Sequence, residues 1–141
     1  MKKRISFALS LTFLASCQVN WYGDINLGSD FYYMVQPAFN SIVIPVNQKE
    51  PYKSSICVIK DIESVGFNDK IILATSMSED GVKYWKIDKT VKSEELGYRD
   101  DSIIILSNVV EIDSNGFYKI QELEQINLKT KTEYRKQLNY E

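Results

Sequence analysis

Two carboxylates, Asp61 and Glu63, stand two positions apart at the start of an apolar segment. On a β-strand, side chains two residues apart project from the same face. The pair therefore has the chemistry of a glycoside hydrolase, in which two carboxylates stand ~5–9 Å apart. The alternative is a solvated acidic face, whose charges would keep an edge strand from pairing with a strand of another molecule. We favour the solvated face, and we keep Asp61 and Glu63 as the candidate residues of a carboxylate-dependent hydrolase.

Histidine is absent from the chain. Its absence excludes Ser-His-Asp triads, Cys-His dyads and imidazole metal sites. The sequence also lacks the G-x-S-x-G, S-x-x-K and G-x-G-x-x-G motifs, a Gly-Lys phosphate loop and a calcium-binding loop. We therefore predict a protein that is not an enzyme, with no catalytic residue, no metal and no cofactor.

The first residues have the composition of an export signal. A basic cluster at residues 2–4 precedes an apolar stretch from Ile5 to Leu14, which has the length of a signal-peptide core. As a helix this stretch would rise only about 15 Å, half of the ~30 Å needed to cross hydrocarbon. We therefore interpret residues 1–16 as a signal peptide and not as a membrane-spanning anchor.

The end of this segment, Leu14-Ala15-Ser16-Cys17, resembles the lipobox of bacterial lipoproteins. That resemblance implies cleavage before Cys17 and attachment of acyl chains, palmitate among them, to Cys17. Two or more acyl chains hold a protein on a membrane almost permanently. Gln18 follows instead of an aspartate, which implies the outer membrane in a Gram-negative cell and the outer face of the plasma membrane in a Gram-positive one. Residues 17–27 are then the lipidated cysteine and a tether.

The net charge and the number of cysteines limit which molecules and which residues can be partners of this protein. Cleavage would remove three basic residues from a chain whose net charge is already −2, and an acidic protein is a poor ligand for nucleic acid. With Cys17 acylated, Cys57 has no partner for an intramolecular disulfide. Cys57 lies in an apolar run without a nearby base, which favours a buried structural role over a nucleophilic one. The predicted partners are the membrane, through Cys17, and an envelope protein, peptide or cell-wall component.

Most of the remaining chain has the pattern of β-structure. Asn68-Asp69 and Asp80-Gly81 are tight-turn signals on either side of one apolar run. Short links join antiparallel strands, so these turns predict a β-meander with Ile71 to Ala74 in its central strand. Pro45 places the strand before it at a sheet edge or a bulge. The polar stretch from Lys89 to Asp101 is interpreted as a loop with at most one helical turn.

A helix is predicted in the C-terminal half, with Asp113 or Ser114 as its cap. Its apolar stripe is Phe117, Ile120 and Leu123. A hairpin at Asn115-Gly116 is the alternative, and we favour the helix. Thr130 and Glu133 have the spacing of a capping box, but whether residues 126–141 are helical or extended stays open. The predicted fold is α+β, mainly β: an antiparallel β-meander with one C-terminal-half helix packed on the sheet, in a single domain at residues 28–141.

Several of these features occur together in one family. The lipobox, Phe67-Asn68-Asp69 before an apolar strand, Tyr84-Trp85-x-Ile87-Asp88 and the capped helix around Phe117 resemble a family of small bacterial lipoproteins of unknown function. The resemblance implies an envelope location. That family offers no catalytic or binding residues to transfer to this chain.

Two surfaces remain as candidate binding sites. Four basic residues, Lys129, Lys131, Arg135 and Lys136, form a patch that can contact anionic lipid or a cell-wall polymer, although we favour a solvated face. Tyr84 and Trp85 are adjacent on a predicted strand, so at most one of them is exposed to a sugar or peptide. We predict a non-enzymatic envelope lipoprotein with a binding or structural role. The alternatives are the carboxylate-dependent hydrolase and a binder of a small lipophilic ligand.

Overall fold

The computed structural model describes residues 24–36, 38–46 and 54–139. The predicted signal peptide at residues 1–16, Cys17 and most of the predicted tether lie outside these residues. Within the described ranges, no helix is long and apolar enough to cross a membrane.

The described residues are mainly β, with two sheets and two helices. In chain order they form β1 (Ile25–Gly28), β2 (Phe31–Met34), β3 (Ser41–Pro45), β4 (Ser55–Ile59), β5 (Ile62–Phe67), β6 (Ile71–Ser78), β7 (Gly81–Asp88), β8 (Glu95–Arg99), β9 (Ile103–Leu106), β10 (Val109–Ile112), α1 (Ser114–Leu123), β11 (Lys129–Thr130) and α2 (Lys131–Gln137).

The strands divide between two sheets. The first has the order β1-β2-β3-β4-β9-β8 and the second β10-β7-β6-β5-β11. All neighbours are antiparallel except β4 and β9, which run parallel where Cys57 lies opposite Ile103. The predicted meander is present as β5-β6-β7, with β6 in its centre, but it forms only part of one of the two sheets.

Local turn chemistry explains the meander. The Asn68 carboxamide oxygen accepts from the backbone N–H groups of Lys70 and Ile71, both at 2.9 Å, as in an Asx turn. At the next turn Gly81 has φ +109, a conformation that glycine adopts without steric strain. Between these turns Ile72 and Leu73 are fully buried, because both faces of β6 are covered.

The molecule has three layers. The two sheets enclose a large apolar core that includes Phe31 and Ile59 from the first sheet and Ile72 and Ile87 from the second. A smaller core lies on the other face of the second sheet, where Phe117 of α1 packs on Leu73 and Ile126. Most buried sheet residues are therefore apolar, and the polar exceptions in β6, Thr75 and Ser76, hydrogen-bond to Ser64 and Trp85.

The helix α1 begins where the sequence predicts. The Asp113 carboxylate accepts from the Gly116 N–H at 2.6 Å, as an N-cap does. Phe117 is fully buried and Ile120 half-buried, whereas Leu123 is 72% exposed. The predicted stripe therefore packs on the sheet through its first two residues, and the hairpin alternative at Asn115-Gly116 is wrong.

The second helix answers the question left open for residues 126–141. Thr130 and Glu133 form a reciprocal capping box, and the helix α2 follows over Lys131–Gln137. Its Tyr134 is buried. The single predicted helix is therefore one of two, and both contact the second sheet.

Three predictions need correction. The stretch predicted as a loop contains β8, because Asp100 and Asp101 both adopt positive φ and make a tight hairpin turn without glycine. Of the two alternatives for the strand with Pro45, the edge is wrong, because β3 lies between β2 and β4, whereas a bulge is present in β3, at Ile42/Val43 and not at Pro45. The folded part begins before residue 28, because Leu27 of β1 is fully buried.

Candidate functional site

The chain crosses from the first sheet to the second at Lys60-Asp61, between β4 and β5. Asp61 has φ +55, a left-handed conformation that Asp tolerates better than most residues. Its carbonyl accepts from the Met77 N–H at 2.9 Å. Asn40 braces the other side: its carbonyl accepts from the Ile62 N–H at 3.1 Å, and its side-chain amide donates to the Ile62 carbonyl. The crossover is thus held in place by backbone hydrogen bonds.

Two adjoining depressions open at this crossover. The first, of about 410 Å³, is called here the acidic depression and is lined by Asn40, Asp61, Glu63, Met77, Ser78 and Glu79. The second, of about 400 Å³, is called the main cleft and is lined by Ile59, Lys60, Asp61, Ser76, Met77, Ser78, Glu79, Lys83, Trp85, Arg99 and Asp100. The two depressions adjoin, because Asp61, Met77, Ser78 and Glu79 line both of them, and together they are called here the groove.

Trp85 lies in the wall of the main cleft and is held by two contacts. Its indole N–H donates to the Ser76 hydroxyl at 2.8 Å. The Arg99 guanidinium carbon lies 5.7 Å from the Trp85 ring centroid, within cation–π range. Trp85 is only 8% exposed, so the groups that a bound molecule would meet are chiefly the charged side chains around it.

Six charged side chains line the main cleft: Lys60, Asp61, Glu79, Lys83, Arg99 and Asp100. Across the described part of the chain, none of the six forms an ion pair with another. The one ion pair that involves them joins Lys83 to Glu111 at 3.6 Å, and Glu111 belongs to β10, outside the cleft. These charges therefore converge on the cleft without neutralising one another directly.

The structure brings the hydrolase candidates together. Asp61 and Glu63 line the acidic depression along with Glu79. Both are exposed, whereas carboxylic acids that act as general acids lie in apolar surroundings that hold their proton. The arrangement supplies paired carboxylates but not the burial that such catalysis uses.

Cys57, for which a buried structural role was predicted, is half-buried on β4. Burial raises the pKa of its thiol, an effect opposed by a hydrogen bond with Ser41 and by the charges of Lys60 and Arg99. A raised pKa disfavours the thiolate, which is the reactive form of cysteine. Burial of the thiol therefore disfavours the nucleophilic role, as does the absence of histidine.

The predicted basic patch is largely committed to contacts within the protein. Lys131 donates to the Phe39 carbonyl at 2.6 Å and Arg135 to the Val35 carbonyl at 2.8 Å, which ties α2 to the segment between β2 and β3. Lys129 of β11 donates to Gln137 of α2 at 3.0 Å. The patch therefore serves as a structural clasp.

Neither member of the predicted aromatic pair is exposed. Trp85 faces the core between the sheets and reaches the main cleft. Tyr84 is half-buried beneath α1, with its ring centroid 5.1 Å from that of Phe117 and 5.8 Å from that of Tyr118. Tyr84 and Trp85 face opposite sides of the strand, as predicted, but α1 covers Tyr84, the residue that faces away from the core between the sheets.

The sequence interpretation did not find Lys60, Glu79, Lys83 or Arg99 as site residues. They come from the crossover, the β6–β7 hairpin and β8, and their meeting depends on how the two sheets stack. Glu79 carries a weak local signal, since it precedes the Asp80-Gly81 turn. Arg99 carries none, because β8 itself was predicted as a loop.

No family model, no curated protein and no solved structure matches this chain. Among the residues that the structure describes, no group of three or more cysteine, aspartate and glutamate side chains is arranged to hold a metal ion. The groove must therefore be interpreted from its own geometry and charges.

Proposed function

We propose that this protein is a lipid-anchored envelope protein, attached through Cys17, whose groove binds a polar ligand without transforming it. The observation that carries the proposal is the main cleft, where Lys83, Arg99, Asp61 and their neighbours surround Trp85 without pairing with one another. Binding sites combine a hollow of a few hundred Å³ with a small number of convergent polar groups. The main cleft has both features.

The charges of the groove select the kind of ligand. A lipophilic molecule would remove water from several charged groups without replacing their hydrogen bonds, which is unfavourable. A polyanion such as nucleic acid would meet Asp61, Glu79 and Asp100 beside the cations. A ligand with hydrogen-bonding and charged groups of its own avoids both penalties.

The lipid anchor rests on the N-terminal sequence. Residues 2–4 are basic, Ile5 to Leu14 are apolar, and Leu14-Ala15-Ser16-Cys17 has the lipobox pattern. Cells grown with a clickable palmitate analogue should label the wild type and not Cys17→Ser, and the variant should leave the membrane fraction. An unlabelled wild type that still sediments with membranes would overturn the anchor.

The groove is tested by photo-crosslinking in intact cells. A photoreactive amino acid replaces Ser78, which lines both depressions, and in a control it replaces Lys119, an exposed residue of α1. We expect an adduct of defined mass at position 78 that is absent at position 119. Identical adduct patterns, or no adduct at either position, would contradict ligand binding in the groove.

A second candidate is the carboxylate-dependent hydrolase, favoured by the presence of Asp61 and Glu63 in one depression. The double change Asp61→Asn with Glu63→Gln separates the two functions. A binding protein keeps its stability and releases no product from envelope polysaccharide before or after the change. Release of sugar by the wild type that the double variant abolishes would support the hydrolase instead.

A further inference from the structure

The two halves of the groove differ in charge. The acidic depression is lined by Asp61, Glu63 and Glu79 and by no cation. All the cations, Lys60, Lys83 and Arg99, lie in the main cleft. Asp61 and Glu79 line both depressions, so a molecule that occupies the whole groove meets carboxylates along its length and cations only in the main cleft.

We infer that the groove binds a short peptide with free ends, its ammonium group in the acidic depression and its carboxylate beside Arg99 and Lys83. This inference rests on the proposed function, because it specifies the ligand of the same groove. An ammonium offers three donors and no acceptor, which suits Asp61 and Glu63. A carboxylate accepts two parallel hydrogen bonds from a guanidinium, which Arg99 can supply.

Arg99 is prepared for this role by its surroundings. Its guanidinium is held over Trp85, and Trp85 is in turn held by Ser76 at 2.8 Å. The backbone of Arg99 belongs to the tight β8–β9 hairpin, where its carbonyl accepts from the Ser102 N–H at 3.4 Å. A side chain that is already positioned loses less conformational freedom on binding.

Size and charge favour a short peptide over a ligand of one charge sign and over a folded partner. A ligand of one charge sign would satisfy one half of the groove and leave the other half with like charges or none. Depressions of about 410 and 400 Å³ lie at the lower end of the ~300–1,000 Å³ that small-molecule sites occupy. That volume suits a peptide of two or three residues, not a folded partner.

The test uses the full chain in detergent micelles and tri-alanine as the probe. Trp21→Phe leaves Trp85 as the remaining tryptophan of the two in the sequence, so its fluorescence reports the cleft. The peptide is titrated with free ends, N-acetylated, C-amidated and blocked at both ends. We expect the free form to bind, and each block to weaken binding by about tenfold, as for the loss of one charge-assisted hydrogen bond.

Variants assign each end of the peptide to its half of the groove. Arg99→Gln should bind the free and C-amidated peptides equally well, and Arg99→Lys should keep part of the preference for the free carboxylate. Asp61→Asn, which keeps a residue suited to the left-handed backbone, should lose the preference for the free ammonium. Lys119→Gln on α1 should behave like the wild type, and thermal melting checks that every variant is folded.

Four results would overturn the inference. If the doubly blocked peptide binds as tightly as the free one, the groove does not recognise the peptide ends. The same holds if N-acetylation and C-amidation each weaken binding to Arg99→Gln as much as they weaken binding to the wild type. If no peptide binds while the crosslinker at position 78 still gives an adduct, the ligand is of another class and the proposed function stands. If neither peptide nor adduct is found, both the inference and the proposed function fail.

Discussion

Tyr33 and Tyr134 meet edge to face, with ring centroids 5.7 Å apart and planes inclined by 76°. Tyr33 belongs to the first sheet, where its hydroxyl donates to the Asn40 carboxamide at 2.6 Å. Tyr134 belongs to α2, and its hydroxyl donates to the Val65 carbonyl of the second sheet at 3.0 Å. One aromatic contact thus links the two sheets through the helix.

We predict that Tyr134→Ala lowers the free energy of unfolding by ~3–5 kcal/mol, as for other large aromatic side chains removed from a core. Tyr134→Phe keeps the ring and loses one hydrogen bond, so the loss should be about 1 kcal/mol. Urea unfolding of both variants measures the difference. Lys136→Ala, at an exposed position of α2, is the control and should cost less than about 0.5 kcal/mol. Equal losses for Tyr134→Ala and Lys136→Ala would mean that α2 does not hold the sheets together.

Alkaline pH should destabilise the fold through the same pair. Burial raises the pKa of Tyr134 to about 12, and burial, with smaller contributions from Tyr134 and Glu63, raises the pKa of Tyr33 further. An unfolded tyrosine titrates near ~10, so the folded state holds more protons above that pH and stability falls as the pH rises. We expect the melting temperature to drop steeply above pH ~10 and the drop to be smaller in a Tyr33→Phe, Tyr134→Phe variant. An identical pH dependence in that variant and the wild type would contradict this account.

Asp24 should make the protein less stable at neutral than at acidic pH. Burial raises its pKa to about 6, and within the described residues one of its carboxylate oxygens is buried without a hydrogen-bond partner. The unfolded carboxyl titrates near ~3.9, so this group's contribution to stability falls as the pH rises from about 4 to 6 and is constant above. Asp24→Asn should therefore melt above the wild type at pH 7.5. The difference in melting temperature between Asp24→Asn and the wild type should disappear below pH 4. A difference that is the same at pH 7.5 and below pH 4 would rule out titration of Asp24 as its cause.

Ile72 tests whether β6 is the centre of the core. Its side chain is fully buried, between strands β5 and β7, so Ile72→Ala should cost ~2–5 kcal/mol. Lys119→Ala is the matched surface change and should cost less than about 0.5 kcal/mol. Lys131 is unsuitable as that control, because it donates to the Phe39 carbonyl. Calorimetric melting of the two variants gives the comparison, and similar melting temperatures would show that β6 is not central.

The parts of the fold that the sequence predicts are those determined by neighbouring residues. The turns at Asn68 and Gly81, the cap at Asp113 and the capping box at Thr130 each depend on three or four consecutive positions. The hairpin at Asp100-Asp101 was missed because Asp-Asp adopts positive φ only at some steric cost. Its conformation is stable here within the paired strands β8 and β9.

The candidate site was only half predictable, because its residues lie far apart in the sequence. Asp61 and Glu63 are two positions apart, so their proximity was predictable from the spacing, although Asp61 lies in the crossover before β5 and not on the strand itself. Arg99 reaches Trp85 only because β9 pairs with β4 in parallel and carries β8 with it. That parallel contact joins segments more than forty positions apart, and no local sequence pattern predicts the pairing.

The clasp formed by α2 has a consequence for how the protein reaches its final state. The helix α2 follows every strand of both sheets in the chain, so the ribosome synthesises it after all the strands that it joins. Until Lys131–Gln137 has been synthesised, Tyr134 cannot pack on Tyr33, and the two sheets lack the contact that links them through α2. The contact that joins the two sheets is therefore the last part of the described fold to be synthesised.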